Sequence, residues 1–230
     1  MKTIGLIGGM SWESSALYYQ IINQCVKEKL GGHHSAKSLM YSVDFQEIKE
    51  LQHQNRWDEA ANILIHGARS LQAGGADCIV ICTNTMHKLA DEVSEAVEIP
   101  LLHIAEPTAR LIVQAGIKKV ALLGTRFTME QEFYKAKLTE DYGLQVLIPN
   151  EADRQSVHDI IYNELCLGQV RAESKQVYLD IIGRLVQEGA EAVILGCTEI
   201  TLLIQQADCP IPVYDTTRIH AEAAVEFAVG

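Results

Sequence analysis

Several features are scarce or missing in this 230-residue chain, and each absence removes a class of function. Basic residues are the minority, with 19 Lys and Arg against 30 Asp and Glu, a net charge of −11 and a pI near 5.2. Such a balance leaves no broad basic footprint, so nucleic acid and anionic membrane surfaces are not expected partners. Nowhere do about 18 apolar residues run together, so no membrane-spanning segment is expected. The opening MKTIGLIGGM lacks the apolar h-region and small-residue cleavage site of a signal peptide. It reads as a first strand, and a cytoplasmic location is expected. There is no P-loop and no G-x-S-x-G motif. The stretch Gly5–Ser11 is not G-x-G-x-x-G, and no acidic residue ends a second strand about 20 residues on, so a dinucleotide site has no support. Cysteines at 25, 78, 82, 166, 197 and 209, in a chain without an export signal, are expected as free thiols. Cys78 and Cys82 would lie about 13 Å apart on one strand, too far to share a zinc ion, and no metal is expected.

What is present is an alternation of β-branched runs and amphipathic stretches. Strands are expected at Thr3–Ile7, Leu39–Val43, Cys78–Cys82, Pro100–Ile104, Val120–Leu123, Gln145–Ile148, Ala192–Leu195 and Val213-Tyr214. Helices are expected at Ser14–Leu30, Trp57–Gln72 and Met86–Val97, from Met129, and from about Ser156 to Gln187. The run CIVIC at 78–82 is apolar on both faces, as a parallel strand covered by helices must be. The alternation predicts a parallel α/β fold.

The chain also resembles itself. Ile4-Gly-Leu-Ile-Gly8 matches Val120-Ala-Leu-Leu-Gly124, and Tyr18 then falls on Tyr134. Gly75-Ala-Asp-Cys-Ile-Val-Ile-Cys-Thr83 matches Gly189-Ala-Glu-Ala-Val-Ile-Leu-Gly-Cys197, and Pro100 is followed by Pro210 in the same order. Two similar α/β lobes from an internal duplication are expected: residues 1–98 with 213–230, and residues 99–212. Thr83 of one lobe then corresponds to Cys197 of the other, each at the carboxyl end of a buried strand, where ligands of open α/β sheets bind. Two facing lobes would set these side chains on either side of one cleft.

Around both positions stand groups suited to an anion. Asn84 and Thr85 are helix-cap types, and Thr198-Glu199 follows Cys197 in the same way; free amides at a helix start favour a carboxylate. Each motif alone reads better as plain capping, but their correspondence across the repeat favours a ligand-binding role. Cys197 is expected to titrate near neutrality, because a helix N-terminus lowers a thiol that starts near pH 8.5. Cys82 matches Gly196 in the repeat and faces the other way from Thr83, so it is expected to pack. Thr125, in Gly124-Thr-Arg-Phe-Thr128, holds in the second lobe the place of the loop after Gly8, as a ligand contact or as a cap. His33 and His34 are expected in solvent, and His87 on a helix face.

The segments IGLIGGM, Cys82-Thr-Asn-Thr-Met-His87 and Gly196-Cys-Thr-Glu199 resemble the aspartate/glutamate racemase family, which uses no pyridoxal phosphate. Ser42-Val-Asp-Phe45, Leu122-Leu-Gly-Thr-Arg126 and Glu164-Leu-Cys-Leu-Gly168 resemble its enterobacterial branch. The resemblance implies two α/β lobes, an amino-acid substrate, no cofactor and assembly as a homodimer. It also implies a two-thiol mechanism in which one thiolate removes the α-proton and the other thiol returns a proton to the opposite face. The second family cysteine maps onto Cys197 and the first onto Thr83, so the chain departs from the family at one catalytic position. By resemblance, substrate contacts fall on Met10, Ser11, Gln52, Asn84, Thr85, Thr125, Thr198 and Glu199. Relatives place an arginine near Gln52 and a lysine at the position of Cys166, so the side-chain carboxylate lacks an obvious cation, with Arg56 and Arg126 as candidates. A threonine hydroxyl is a far weaker acid than a thiol, so the two faces are expected to be served unequally, with turnover starting from one enantiomer, the L form by resemblance.

Two other readings fit parts of the pattern. A single cysteine facing a non-cysteine suits decarboxylation with one-sided protonation, as in arylmalonate decarboxylases, although four Phe and two Trp give little material for an aryl pocket. A two-lobed protein that binds an acidic ligand without chemistry is the third. Asp44, His103, Glu106 and Glu199 are polar groups near strand ends, and no spacing selects among them as the activator of either residue.

Overall fold

The computed structural model describes all 230 residues, which divide into two compact units: Met1–Ile104 with His220–Gly230, and Ala105–Ile219. The fold is α/β with two parallel sheets.

In the first unit the elements are β1 (Ile4–Gly8), α1 (Trp12–Leu30), β2 (Ser38–Ser42), α2 (Phe45–His53), α3 (Trp57–Ala73), β3 (Cys78–Ile81) and α4 (Ala90–Glu95). The three strands pair in the order β2-β1-β3, all parallel, with Ile7 opposite Ile81. β1 and β3 are buried along their whole length, as their apolar runs require. Ser11 caps α1 by accepting from the Ser14 amide at 3.2 Å; Glu13 sits in the first turn, and Lys27 and Lys29 in the last, each where the helix dipole favours its sign. The helix buries Tyr18, Ile21, Ile22, Cys25 and Val26 in a core with Ile4, Leu6, Val80 and Cys82.

The second unit runs α5 (Ala105–Gln114), β4 (Lys119–Gly124), α6 (Arg126–Glu130), α7 (Glu132–Glu140), β5 (Gln145–Leu147), α8 (Glu151–Asn163), α9 (Ala172–Gln187), β6 (Ala192–Gly196) and β7 (Val213–Asp215). Its sheet has the order β5-β4-β6-β7, again parallel, with Leu123 opposite Leu195. The first three strands of each unit therefore share one order, with the first strand in the middle. The last helix, α10 (Thr216–Val229), starts in the second unit and ends in the first. There Ala221, Ala224, Val225 and Ala228 join the first core.

Several expectations need correction. Pro100–Ile104 is not a strand: Leu101 makes one bridge to Ile79, and the chain then enters α5. Met86–Val97 is not one helix but a 3₁₀ turn, Thr85–Leu89, followed by the short α4. The division between units also falls elsewhere. Residues 99–104 stay with the first unit, because Ile79 donates to the Pro100 carbonyl and accepts from Leu102. Residues 213–219 stay with the second, because Val213–Asp215 pairs with Val193–Leu195. Helices α2, α5 and α10 were not expected from the sequence. No helix is long and apolar enough to cross a membrane, and all six cysteines are free.

Candidate active site

In the first unit the sequence-predicted residues gather at the carboxyl ends of β1 and β3. Cys82 makes the last sheet bond, donating to Ile7 O at 2.9 Å, and its side chain is fully buried in the core. Thr83 turns the chain, its amide donating back to Ile81 O at 2.9 Å, and it is the first residue after the strand with partial exposure. Ser14 Oγ donates to the Cys82 carbonyl at 2.9 Å and so ties the start of α1 to this turn. Met10 and Ser11 are buried in the loop between β1 and α1, with the Ser11 hydroxyl engaged as the helix cap. Asn84 and Thr85 are buried and open the 3₁₀ turn, where the Asn84 side chain forms no cap. Gln52 reaches the same turn from α2: it is buried, and its Nε2 donates to Met86 Sδ at 3.0 Å. His87, expected on a helix face, lies in the 3₁₀ turn and is buried at 2 % exposure.

In the second unit the equivalent positions lie at the ends of β4 and β6. Gly124 pairs in register with Gly196. A Cβ on Gly124 would stand 2.8 Å from the Gly196 carbonyl oxygen, and one on Gly196 would stand 3.0 Å from the Leu123 carbonyl oxygen. Only glycine fits this close approach, and the paired glycines end the two strands at one level, one residue before Thr125 and Cys197. Thr125 caps α6, its hydroxyl accepting from the Thr128 amide at 3.3 Å. Cys197 precedes the 3₁₀ turn Thr198–Leu202, in which Thr198 and Glu199 are buried.

The decisive local contact is Cys197 Sγ–H donating to Glu199 Oε2 at 2.9 Å. Of the four polar groups left open by the sequence, Glu199 is the one bonded to the thiol. Asp44 caps α2, Glu106 pairs with Lys137 at 3.2 Å, and His103 stacks edge-on against His87. The expected near-neutral thiol is not found. Burial, then the negative charge of Glu199, pushes the Cys197 thiol well above its ordinary range; the Glu199 amide works the other way but does not offset them. A five-residue 3₁₀ turn also supplies little of the aligned dipole that lowers thiols at long helix starts. At rest Cys197 is a neutral thiol with a built-in proton acceptor. Glu199→Gln is accordingly expected to lower the Cys197 titration, because the amide keeps the shape and removes the charge. The pH dependence of Cys197 alkylation, followed by peptide mass spectrometry, reads the shift; an unchanged or higher titration would mean Glu199 does not control the thiol.

Neither candidate cation stands ready for a second carboxylate. Arg126 pairs with Glu130 at 2.8 Å and donates to Gln155, and Arg154 shares the same Glu130 oxygen. Arg56 is exposed and pairs with Glu59. No group of three or more His, Cys, Asp and Glu side chains is arranged to hold a metal ion.

The sequence model described as Asp/Glu/Hydantoin racemase matches residues 7–224. The chain belongs to this family. It is 26 % identical over 230 residues, 96 % of each chain, to the broad specificity amino-acid racemase RacX of Bacillus subtilis strain 168. Among solved structures it superposes on a candidate Asp/Glu racemase from Yersinia pestis with 53 % identity and TM-score 0.94, over all of both chains. An aspartate racemase homologue from Pyrococcus horikoshii OT3 gives 35 % identity and TM-score 0.86, again over all of both chains. Membership makes the chain a racemase-family enzyme of the α/β two-sheet type, and the strand-end residues above are its candidate machinery.

Proposed function

We propose that this protein inverts the α-carbon of aspartate or glutamate by two-base proton transfer without a cofactor, with Cys197 and Thr83 acting on opposite faces. The observation that carries the reading is the Cys197–Glu199 hydrogen bond at a strand end equivalent to that of Thr83. Inversion needs an acid and a base at one carbon from opposite sides, so the proposal asks that a single α-carbon meet both side chains.

Bound substrate supplies what the resting thiol lacks. Its α-ammonium group brings a positive charge that offsets the Glu199 charge and favours the thiolate. The Cys197 proton passes to Glu199, the thiolate takes the α-hydrogen as a proton, and the electron pair of the C–H bond spreads into the substrate carboxylate. A proton from the Thr83 hydroxyl completes the opposite enantiomer, and the proton held by Glu199 returns through water to the Thr83 alkoxide, so that all three groups regain their starting state. Asn84, Thr85, Thr125 and Thr198 supply amides and hydroxyls for the substrate carboxylates, with Met10, Ser11 and Gln52 closing the first half-site. The second half-site carries Cys166 where relatives have a lysine, which leaves the side-chain carboxylate to neutral donors. The working assembly is a homodimer.

The unequal acids on the two faces cannot show as unequal kcat/KM. Mirror-image substrates have an equilibrium constant of one, which forces kcat/KM to be equal in both directions. The asymmetry is carried by kcat and KM separately and by exchange without inversion. In deuterated water the L-enantiomer should lose its α-proton faster than it inverts, because Cys197 exchanges it efficiently while Thr83 answers slowly. Thr83→Val should reduce inversion at least tenfold and leave exchange with retention from L-aspartate or L-glutamate in place, read by NMR and chiral chromatography. Equal loss of both, or loss of neither, would remove Thr83 from its role. No exchange from any of the four amino acids by the unmodified protein would overturn the reading itself and turn attention to substituted malonates.

A further inference from the structure

We propose that His87 is a positioning residue for Thr83: the Nδ1–H of its buried ring holds the Thr83 carbonyl while its Nε2 accepts from Ile104, fixing the turn that presents the Thr83 hydroxyl. The inference rests on the catalytic reading of Thr83 given above.

The geometry defines the ring's tautomer. His87 Nδ1 lies 2.8 Å from the Thr83 carbonyl oxygen, which can only accept, so this nitrogen carries the hydrogen. The Ile104 amide donates to Nε2 at 3.1 Å, so that nitrogen offers its lone pair. Both positions of a neutral imidazole are thereby used. A second buried ring packs edge-on against the first at 5.6 Å between centroids. His220 Nε2 lies 2.7 Å from Leu102 O and its Nδ1 2.8 Å from the Tyr18 hydroxyl, so His220 is the opposite tautomer. The two rings together fasten the segment Leu102–Ile104, where the chain leaves the first unit, and His220 itself is where the chain returns.

The reason Thr83 needs a side-chain clamp lies in the backbone that follows. In an ordinary α-helical turn the Thr83 carbonyl would accept the His87 amide four residues on. Here that amide donates to Asn84 O at 3.1 Å, because residues 85–89 wind as a 3₁₀ turn. The Thr83 carbonyl is left without a backbone donor, and the His87 ring substitutes for it. Removing the ring allows the segment to relax into the α-helical alternative, which would rotate Thr83 about its own backbone. Mispositioning by even about 1 Å costs on the order of a hundredfold in a step that depends on alignment.

The variants His87→Asn and His87→Phe separate positioning from packing. Asparagine can place its amide nitrogen where Nδ1 stands and keep the bond to Thr83; phenylalanine keeps the bulk and loses it. With L-aspartate or L-glutamate in deuterated water, His87→Phe should lower inversion at least tenfold while exchange with retention, which uses Cys197, stays within about threefold. His87→Asn should restore most of the inversion. Equal loss of both processes, or no rescue by asparagine, would reduce His87 to a packing residue and overturn the proposal. A readout free of substrate is the nitrogen-15 spectrum of the unmodified protein, which should show His87 protonated at Nδ1 alone at neutral pH. The Nε2–H tautomer there would overturn the positioning role whether or not the amino acids are turned over. If the expected tautomer is present but none of the four amino acids exchanges, the clamp stands as a feature of the turn and the racemase reading fails separately.

Discussion

Cys197→Ala should abolish α-proton exchange from both enantiomers of aspartate and glutamate, by about three orders of magnitude or more, while leaving the fold and ligand affinity nearly intact. The size follows from what the group does. Proton transfer by a positioned side chain contributes on the order of a hundred- to ten-thousandfold, and no other group in the second half-site can substitute. The buried phenols of Tyr162 and Tyr178 near the thiol are both pushed upward by burial, away from useful acid–base range. Glu199 reaches the reaction through the sulfur, so removing the sulfur removes its route to the α-hydrogen. The fold should tolerate the change, because Cys197 is partly exposed and its loss empties little core. Isothermal titration with a non-reacting dicarboxylate should give a Kd within about threefold of the unmodified protein, and hydrogen exchange at the α-carbon should vanish. Retained exchange would show that the thiol is not the base. A protein that only binds an acidic ligand would show no exchange before the substitution and unchanged binding after it.

Acidification should unfold this protein through its buried histidines before its carboxylates. Burial pushes the His87 ring down to about 4, and burial together with the neighbouring His87 pushes His220 down to about 3, from an ordinary value of 6.5. Both rings are neutral in the folded chain at all pH values above those figures, whereas in the unfolded chain both protonate below 6.5. Between these limits the unfolded state binds two more protons, so stability is complete above pH 6.5 and falls as pH drops toward about 4. Each proton is worth about 1.4 kcal/mol per pH unit. By pH 4.5 the two rings together remove about 5 kcal/mol, comparable to the whole stability of many domains. Urea unfolding followed from pH 7 to 4.5 should show this slope, and His220→Phe should roughly halve it. A flat profile across that window would mean the rings are not held neutral. Glu130 and Asp208, whose carboxyls are held below their usual range by Arg154 and Lys175 beside them, add their own losses only at lower pH.

The same histidines mark the limit of what the linear chain conveys. β1, β3, β4 and β6 were legible because a strand buried on both faces must be an unbroken apolar run, and Ile4–Gly8 or Ala192–Gly196 can be little else. The equivalence of the strand ends that precede Thr83 and Cys197 was legible because the repeat keeps strand ends in step, and Ile7 opposite Ile81 has its counterpart in Leu123 opposite Leu195. Helix α2 was not legible: only Ile48, Leu51 and Gln52 are buried along it, too few for a period. Helix α5 carries Pro107 in its first turn, where proline is tolerated but reads as a break. Pro100–Ile104 has strand composition, yet only Leu101 finds a partner on Ile79 before the chain turns away. Glu199 was one of four equivalent carboxylates and imidazoles until its side chain was placed against a sulfur two residues away. His87 gave no signal at all, since an imidazole serving two backbone groups depends on Ile104, which is distant in sequence.

The glycine pair at the ends of β4 and β6 has a consequence for how such a protein can change over time. Neither Gly124 nor Gly196 can gain a side chain without striking the opposing strand, so the platform beneath Thr125 and Cys197 is frozen. The residues one step beyond carry no such constraint. The first unit, with Cys82 buried where the second has Gly196, offers the same step at Thr83 on a differently filled platform. Under the proposed mechanism, a mutation at the tip exchanges the reacting atom, oxygen for sulfur or the reverse, without asking the sheet to move. On that reading the reacting side chain is a replaceable fitting on an immovable mount, and new chemistry can be tried there one residue at a time.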